Sequence, residues 1–299
     1  MTPHPRLLPI LRLLVVGLVA TCLSACSAVR IAYNQAPDLT YWWLDSYLDL
    51  TDAQSPRMRD DLAKFFAWHR ATELPKTADW LAQAAQLAGG EINAPQACRL
   101  LEQARGLLDT AAEQALPALA DLAPTLTPAQ IEHLKRKFAK NTDEFRRDYI
   151  QATPSSRDAL RLKRSVDRSE TFYGRLEEAQ LAVIRQVVAE SVFDAQVSLK
   201  ERERRQRDFA EVLMNLVGAR ASAATSQHAL RLVLQRVWES PDLAYRTYQQ
   251  RSLSQACQAF TRIHASTTPA QRAQAVRVLK GYEADLRSLA CMALDRAAD

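Results

Sequence analysis

Leu126-Thr127-Pro128-Ala129-Gln130 is the stretch that decides the fold. Threonine ahead of an apolar-periodic run is a helix N-cap whose hydroxyl accepts the amide three residues on. Proline at the first helical position gives up a hydrogen bond that no amide makes there, and the glutamine that follows can reach back to the cap amide. The leading leucine suits a hydrophobic staple. The pattern recurs as Leu50-Thr51-Asp52-Ala53-Gln54 and, more loosely, as Leu176-Glu177-Glu178-Ala179-Gln180 and Thr267-Thr268-Pro269-Ala270-Gln271. Each copy predicts a helix start, stabilised by about 1 kcal/mol. Glu177 stands where the other copies carry threonine, so the box is weaker there. The copies are unequally spaced, which argues against a solenoid of fixed period.

Punctuation at Pro37, Pro56, Pro75, Gly89-Gly90, Pro124, Pro154, Gly174, Gly218, Pro241 and Pro269 separates further runs of helical period. Ile184, Val188, Val192, Ala195 and Leu199 recur at steps of three and four, which predicts a helix packed on a core. Glycines number only seven and β-branched clusters are few. The expected fold is therefore all-α, a multi-helix bundle of about eight or nine helices joined by short loops.

Residues 1–12 carry Arg6 and Arg12 and no acid, and an apolar run follows over residues 13–23, the order of a secretion signal. The run is roughly half of the 20 or so apolar residues that cross a bilayer as a helix, and no later segment reaches that length without charges. Leu23-Ser24-Ala25-Cys26 resembles the bacterial lipobox: an aliphatic residue, two small ones, then the cysteine that receives the lipid. Cys22, after Val19-Ala20-Thr21, is the weaker rival. The resemblance implies a signal peptide over 1–25, a lipidated Cys26, and a single helical lipoprotein domain over 26–299, with a division into two subdomains near 174 left open. Acyl chains at Cys26, palmitate among them, would hold the body stably to a membrane, because each buried methylene adds about 0.8 kcal/mol. Ser27 stands where aspartate would signal inner-membrane retention, so the implied address is the outer membrane, facing the periplasm.

Two of the 39 basic residues fall in the signal segment, which leaves 37 against 34 acidic ones. That balance gives no reason to expect nucleic acid. Besides Cys26, the body holds Cys98, Cys257 and Cys291 in an oxidising compartment, enough for one disulfide. A straight hairpin turning near Ser266-Thr267 would leave Cys257 and Cys291 offset by about 20 Å, out of reach unless the second helix breaks at Gly281. A bond from Cys98 is favoured, its partner open. No Cys/His spacing suggests a metal, and no cofactor fingerprint is present.

The LT-x-x-Q pattern is similar to the repeated motif of Spy/CpxP periplasmic proteins, helical chaperones that cradle unfolded clients. A broader likeness runs through Tyr33-Asn34, Trp43-Leu44-Asp45-Ser46-Tyr47, Trp68-His69-Arg70 with Glu73-Leu74-Pro75, Gly174-Arg175-Leu176 and Arg202-Glu203-Arg204-Arg205-Gln206. Together these resemble a proteobacterial lipoprotein family of unknown function, which implies no activity.

Four candidate sites remain, each with a plainer reading beside it. Tyr41, Trp42, Trp43 and Tyr47 form an aromatic cluster near the lipidated end, a bilayer belt or core packing. His69 lacks a visible acid and nucleophile, and a buried, hydrogen-bonded histidine is the simpler expectation. The charge run over 200–208 places Glu201 with Arg205 and Glu203 with Arg207 at i,i+4, which suits a solvated helix face. From Lys135 to Arg168 the chain has eleven basic and five acidic residues, and Arg157, Arg161, Arg164 and Arg168 stack at steps of four, three and four. The planar guanidinium fork suits carboxylate and phosphate, so this stripe could dock a protein client or an anionic envelope polymer, or pair with acids of a neighbouring helix. HExxH and G-x-S-x-G are both absent. The expected function is thus a membrane-anchored envelope lipoprotein with a macromolecule-binding, scaffold or Spy-like chaperone role. The alternative is a hydrolase or transferase acting on cell wall or lipid.

Overall fold

The computed structural model describes residues 28–298; the expected signal segment over 1–25 and the expected lipidation site Cys26 lie outside the described residues. These form α1 (Ala28–Asn34), α2 (Ala36–Leu48), α3 (Ser55–Trp68), α4 (Leu74–Ala88), α5 (Ala94–Leu122), α6 (Pro128–Phe145), α7 (Pro154–Tyr173), α8 (Glu178–Ala189), α9 (Ala195–Gly218), α10 (Ala223–Trp238), α11 (Leu243–Ala265) and α12 (Pro269–Ala298). Single π-turns, His69–Glu73 and Arg146–Ile150, follow α3 and α6. The chain is all-helical among the described residues, but has more helices than the eight or nine expected.

One cause of the difference is the stripe from Ile184 to Leu199, which spans two helices. α8 stops at Ala189, and Asp194 caps a new helix with its carboxylate, accepting the amides of Gln196 (2.8 Å) and Val197 (3.0 Å). Ile184 and Val188 are buried in one core, whereas Val192 is exposed in the loop between. The apolar period ran on while the backbone broke, because a capping aspartate outweighs the continuation of a weak stripe. Pro117, conversely, sits inside α5 without ending it.

Two clusters make most of the core. The first joins Tyr41 and Leu48 of α2, Met58 and Leu62 of α3, Leu116 and Ala120 of α5, Ile131 and Leu134 of α6, Leu213 and Leu216 of α9 and Leu230 of α10. The second joins Ala88, Tyr173, Leu176, Ile184, Val188 and Ala275. The first draws on residues before and after Gly174 alike. α12 lies along α4, and its residues Leu289 and Ala290 meet Leu74 and Tyr33. A disulfide joins Cys98 on α5 to Cys257 on α11, with Cα atoms 5.4 Å apart, and leaves Cys291 free and exposed. No helix among the described residues is long and apolar enough to cross a membrane.

Candidate functional site

The four motif copies meet in two pairs. Within the second copy, Gln130 Oε1 accepts the Thr127 amide (2.9 Å), while the Gln130 amide donates to Thr127 Oγ1 (3.2 Å). The fourth copy closes the same box between Thr268 and Gln271. In the first copy Gln54 Oε1 accepts the Thr51 amide (3.0 Å), but the helix itself begins at Ser55, after a turn, so Thr51 is not its N-cap. In the third, Gln180 Oε1 accepts the Glu177 amide (2.8 Å) despite the missing threonine.

Each glutamine then uses its other end on a different copy. Gln130 Nε2 donates to the Asp49 carbonyl (2.9 Å), and Gln54 Nε2 donates to the Thr125 carbonyl (3.0 Å). Gln180 Nε2 donates to the Ser266 carbonyl (2.7 Å), and Gln271 Nε2 to the Arg175 carbonyl (3.1 Å). In every case the acceptor lies five residues before the glutamine of the facing copy. The motif is therefore a reciprocal clasp, one per half of the molecule. A local box contributes about 1 kcal/mol, whereas stranding a buried amide and its carbonyl costs about 1–3 kcal/mol. The tertiary bond is the larger part of what the glutamine does.

Two tyrosine–histidine pairs accompany the clasps. Tyr173 Oη lies 2.9 Å from His264 Nδ1, and His264 Nε2 lies 2.7 Å from the Gly90 carbonyl. A carbonyl only accepts, so Nε2 carries the proton and the tyrosine donates to Nδ1. Burial lowers the His264 pKa and pushes the Tyr173 hydroxyl up to about 12. Tyr33 Oη lies 2.8 Å from His69 Nδ1, and burial likewise lowers the His69 pKa, opposed by the Glu73 charge, and raises Tyr33 to about 12. Phe65, Phe66 and Trp68 surround the His69 ring. Glu73 is buried with Lys76 at 2.7 Å. It lines an open cleft with Asp79 and Trp80, and His69 is not part of that cleft.

The arginine stripe occupies one face of α7 and divides into two kinds. Arg161 pairs with Asp158 (3.4 Å), and Arg164 with Asp148 (3.5 Å) and with the Tyr149 hydroxyl. Arg157 reaches only the Tyr149 carbonyl (3.4 Å), and among the described residues no partner engages exposed Arg168. Aromatic rings interleave with the cations: Arg202 over Phe145 (5.1 Å), Arg164 over Tyr149 (5.3 Å) and Arg161 over Phe193 (5.1 Å). Tyr149 in turn packs on Phe145 and Phe193. Between α7 and the start of α9 these groups border an open cleft of about 310 Å³, lined by Tyr149, Arg157, Asp158, Arg161, Phe193 and Asp194. Asp194 is committed to the α9 amides and Asp158 to Arg161, which leaves Arg157 as the cation free to meet a ligand.

The charge run on α9 is not simply a solvated face. Glu201 is buried and takes Arg204 (2.6 Å), Arg205 (2.8 Å) and the Ser240 hydroxyl (3.1 Å). Burial alone would raise its pKa, but the two guanidiniums more than offset this and hold it below the usual carboxylate value. Glu203 bonds Arg146 (2.5 Å), an interhelical partner, instead of Arg207. The remaining histidines stand apart, with His133 Nε2 near the Ser46 carbonyl (3.0 Å). No metal-ligating cluster occurs among the described residues.

The signature of one family covers residues 46–246, about two thirds of the chain. The chain belongs to DUF6279, a family of unknown function. The DUF6279 region takes in the whole first clasp, the arginine cleft and Gln180, but not His264 or Gln271. No curated protein and no solved structure matches the chain.

Proposed function

We propose that this DUF6279 protein is a lipoprotein tethered through Cys26 to the periplasmic face of the outer membrane, where it acts as a scaffold binding anionic envelope polymers. The lipobox-like Leu23-Ser24-Ala25-Cys26 and Ser27 support the tether and its address. One observation carries the binding role: Arg157 presents a guanidinium without a carboxylate partner into a cleft walled by Tyr149 and Phe193, and exposed Arg168, outside the cleft, continues the same helix face. Planar cations next to aromatic walls suit phosphate or carboxylate groups on a sugar backbone.

The test is co-sedimentation of the full chain in detergent with purified sacculi and with lipopolysaccharide at low and high salt. Binding should weaken with salt and fall several-fold in R157A/R168A, while the ion-paired Arg161 and Arg164 keep the helix intact. Binding that survives R157A/R161A/R164A would remove the stripe from contention. The Spy-like chaperone form rests on the LT-x-x-Q likeness, and here the four glutamines are engaged in internal clasps, which makes the motif architectural. Protection of an aggregating client at stoichiometric amounts would revive it. The hydrolase or transferase alternative has less to draw on, since among the described residues His69 is bonded to the Tyr33 phenol and packed among aromatic rings, with no carboxylate bonded to the imidazole.

A further inference from the structure

The aromatic cluster near the start of the chain divides in the fold. Tyr41 is buried, with its hydroxyl donating to Ser55 Oγ (2.9 Å), and Tyr47 packs against Phe138 and receives a hydrogen bond from Asn141 (2.6 Å). Trp42 and Trp43 face outward, 57% and 58% exposed, with Leu39 at 49% and Ile31 at 55%. Leu39, Trp42 and Trp43 stand at steps of three and four, so they share one face of α2. No acceptor engages either indole N–H among the described residues. Asp38, the acid nearest this face in sequence, is neutralised by Arg59 at 3.0 Å, whose guanidinium also lies over Tyr41.

We propose that this face of α2, with Ile31 of α1, lies in the headgroup region of the bilayer that holds the lipid anchor. The inference rests on the reading of Cys26 as the acylated residue. One residue, Ser27, separates Cys26 from Ala28, so the two steps between them span at most about 7 Å of chain, and Trp42 lies about 20 Å further along the helices. A bilayer surface at Cys26 is thus within reach of the whole face. Indoles favour headgroup depth because the ring is apolar and the N–H still finds an acceptor there; both N–H groups are unengaged among the described residues, and both rings are more than half exposed although Trp43 packs one side on Tyr47. The placement sets the orientation of the body: α2 is held flat against the membrane, and α3 and α6, which pack on its other side, face away from it.

The test uses the full chain, expressed with its signal, purified in detergent and reconstituted into phosphatidylethanolamine/phosphatidylglycerol vesicles carrying brominated acyl chains. Intact mass first reports acylation. Bromolipid should quench the tryptophan emission of the wild type, W42F/W43F should lose that quenching, and W68F/W80F/W238F, which keeps only the two indoles on this face, should retain it. An acylated protein whose quenching is absent, or persists unchanged in W42F/W43F, would overturn the inference and leave the tether standing. Crosslinking of Trp42-bearing faces between two copies in the same vesicles, with quenching lost, would overturn it in favour of a dimer. A Cys26 without acyl mass would remove the tether, and the inference with it.

Discussion

The molecule contains the same tyrosine–histidine bond twice, and the two copies are set differently. In the Tyr173–His264 pair both ring nitrogens are satisfied, the ring is fully buried, and the acceptor carbonyl belongs to the Gly89-Gly90 loop that follows α4. In the Tyr33–His69 pair only Nδ1 has a partner among the described residues, the ring is half-buried, and a π-turn starts at the histidine. Identical chemistry thus fixes one region and leaves the other adjustable. Commitment of the second nitrogen makes the difference: His264 ties three segments together, whereas His69 ties two. The clasps follow suit. Gln180 and Gln271 are both buried, while Gln54 is only half-buried beside its buried partner Gln130.

The largest way to break the contrast is at the disulfide. Cys257 lies two helical turns before His264 on α11, and its bond to Cys98 closes a separation of 159 residues. By the chain-entropy argument C98S/C257S should lose about 4–5 kcal/mol, measured by denaturant unfolding with and without reductant. Hydrogen exchange should rise around Gly90 and His264 and stay low in α3. Equal loosening around His69 would show that the two regions are one cooperative unit. Next comes the histidine itself. H264A strands the Gly90 carbonyl and the Tyr173 hydroxyl in a cavity and should cost about 2–4 kcal/mol, against about 1 kcal/mol for H69A, where water can reach the vacated space. Matching losses in thermal unfolding would erase the distinction.

The glutamines sharpen it further. Q180A leaves the Ser266 carbonyl and the Glu177 amide unpaired in a buried site and should cost about 2–3 kcal/mol. Q54A removes comparable bonds where solvent can replace them and should cost about 1 kcal/mol. A fall in stability for Q54A as large as that for Q180A would mean that the first clasp is as closed to water as the second.

These contrasts also mark what could be read from residues in a row. The Thr127 and Thr268 boxes were legible because every partner lies within four positions. The far ends of the same glutamines were not, since the Asp49 and Ser266 carbonyls lie 81 and 86 residues away and carry no side-chain signature. Exclusion of a Cys257–Cys291 bond was legible from helical rise; the choice of Cys257 for Cys98 needed the packing of α5 on α11. Of the candidate site, the spacing of Arg157, Arg161, Arg164 and Arg168 was readable, but which of them are free depends on Asp148, Asp158 and the loop that brings Phe193 alongside. That loop went unread because a capping aspartate interrupted a stripe whose period continued. On α2 the sequence offered Tyr41, Trp42, Trp43 and Tyr47 as one aromatic cluster, yet residues in a row do not say which of them meet the core and which face outward.

The smallest expected effect is the pH dependence, and it depends on the same second nitrogen. His264 has its pKa lowered below the ordinary 6.5 by burial, so around and below that pH the unfolded chain binds a proton that the folded chain refuses. Its contribution is fully present above about pH 6.5 and is lost as pH falls through the lowered folded value. Protonation at Nδ1 would turn the acceptor of the Tyr173 hydroxyl into a donor, and Nε2 cannot release the Gly90 carbonyl in exchange. His69 also has a lowered pKa, but among the described residues its Nε2 holds no carbonyl, and the Glu73 charge favours the proton, so its ring can turn and charge at less cost. Stability measured from pH 7.5 to 5 should therefore decline in the wild type, flatten in H264Q, and change little in H69Q. The carboxylate Glu201, held low by Arg204 and Arg205, loses its contribution only in a more acidic window, below its ordinary value of 4.5, which keeps the two effects apart. A decline that persists in H264Q and disappears in H69Q would reverse the assignment and make the pair at the π-turn the rigid one.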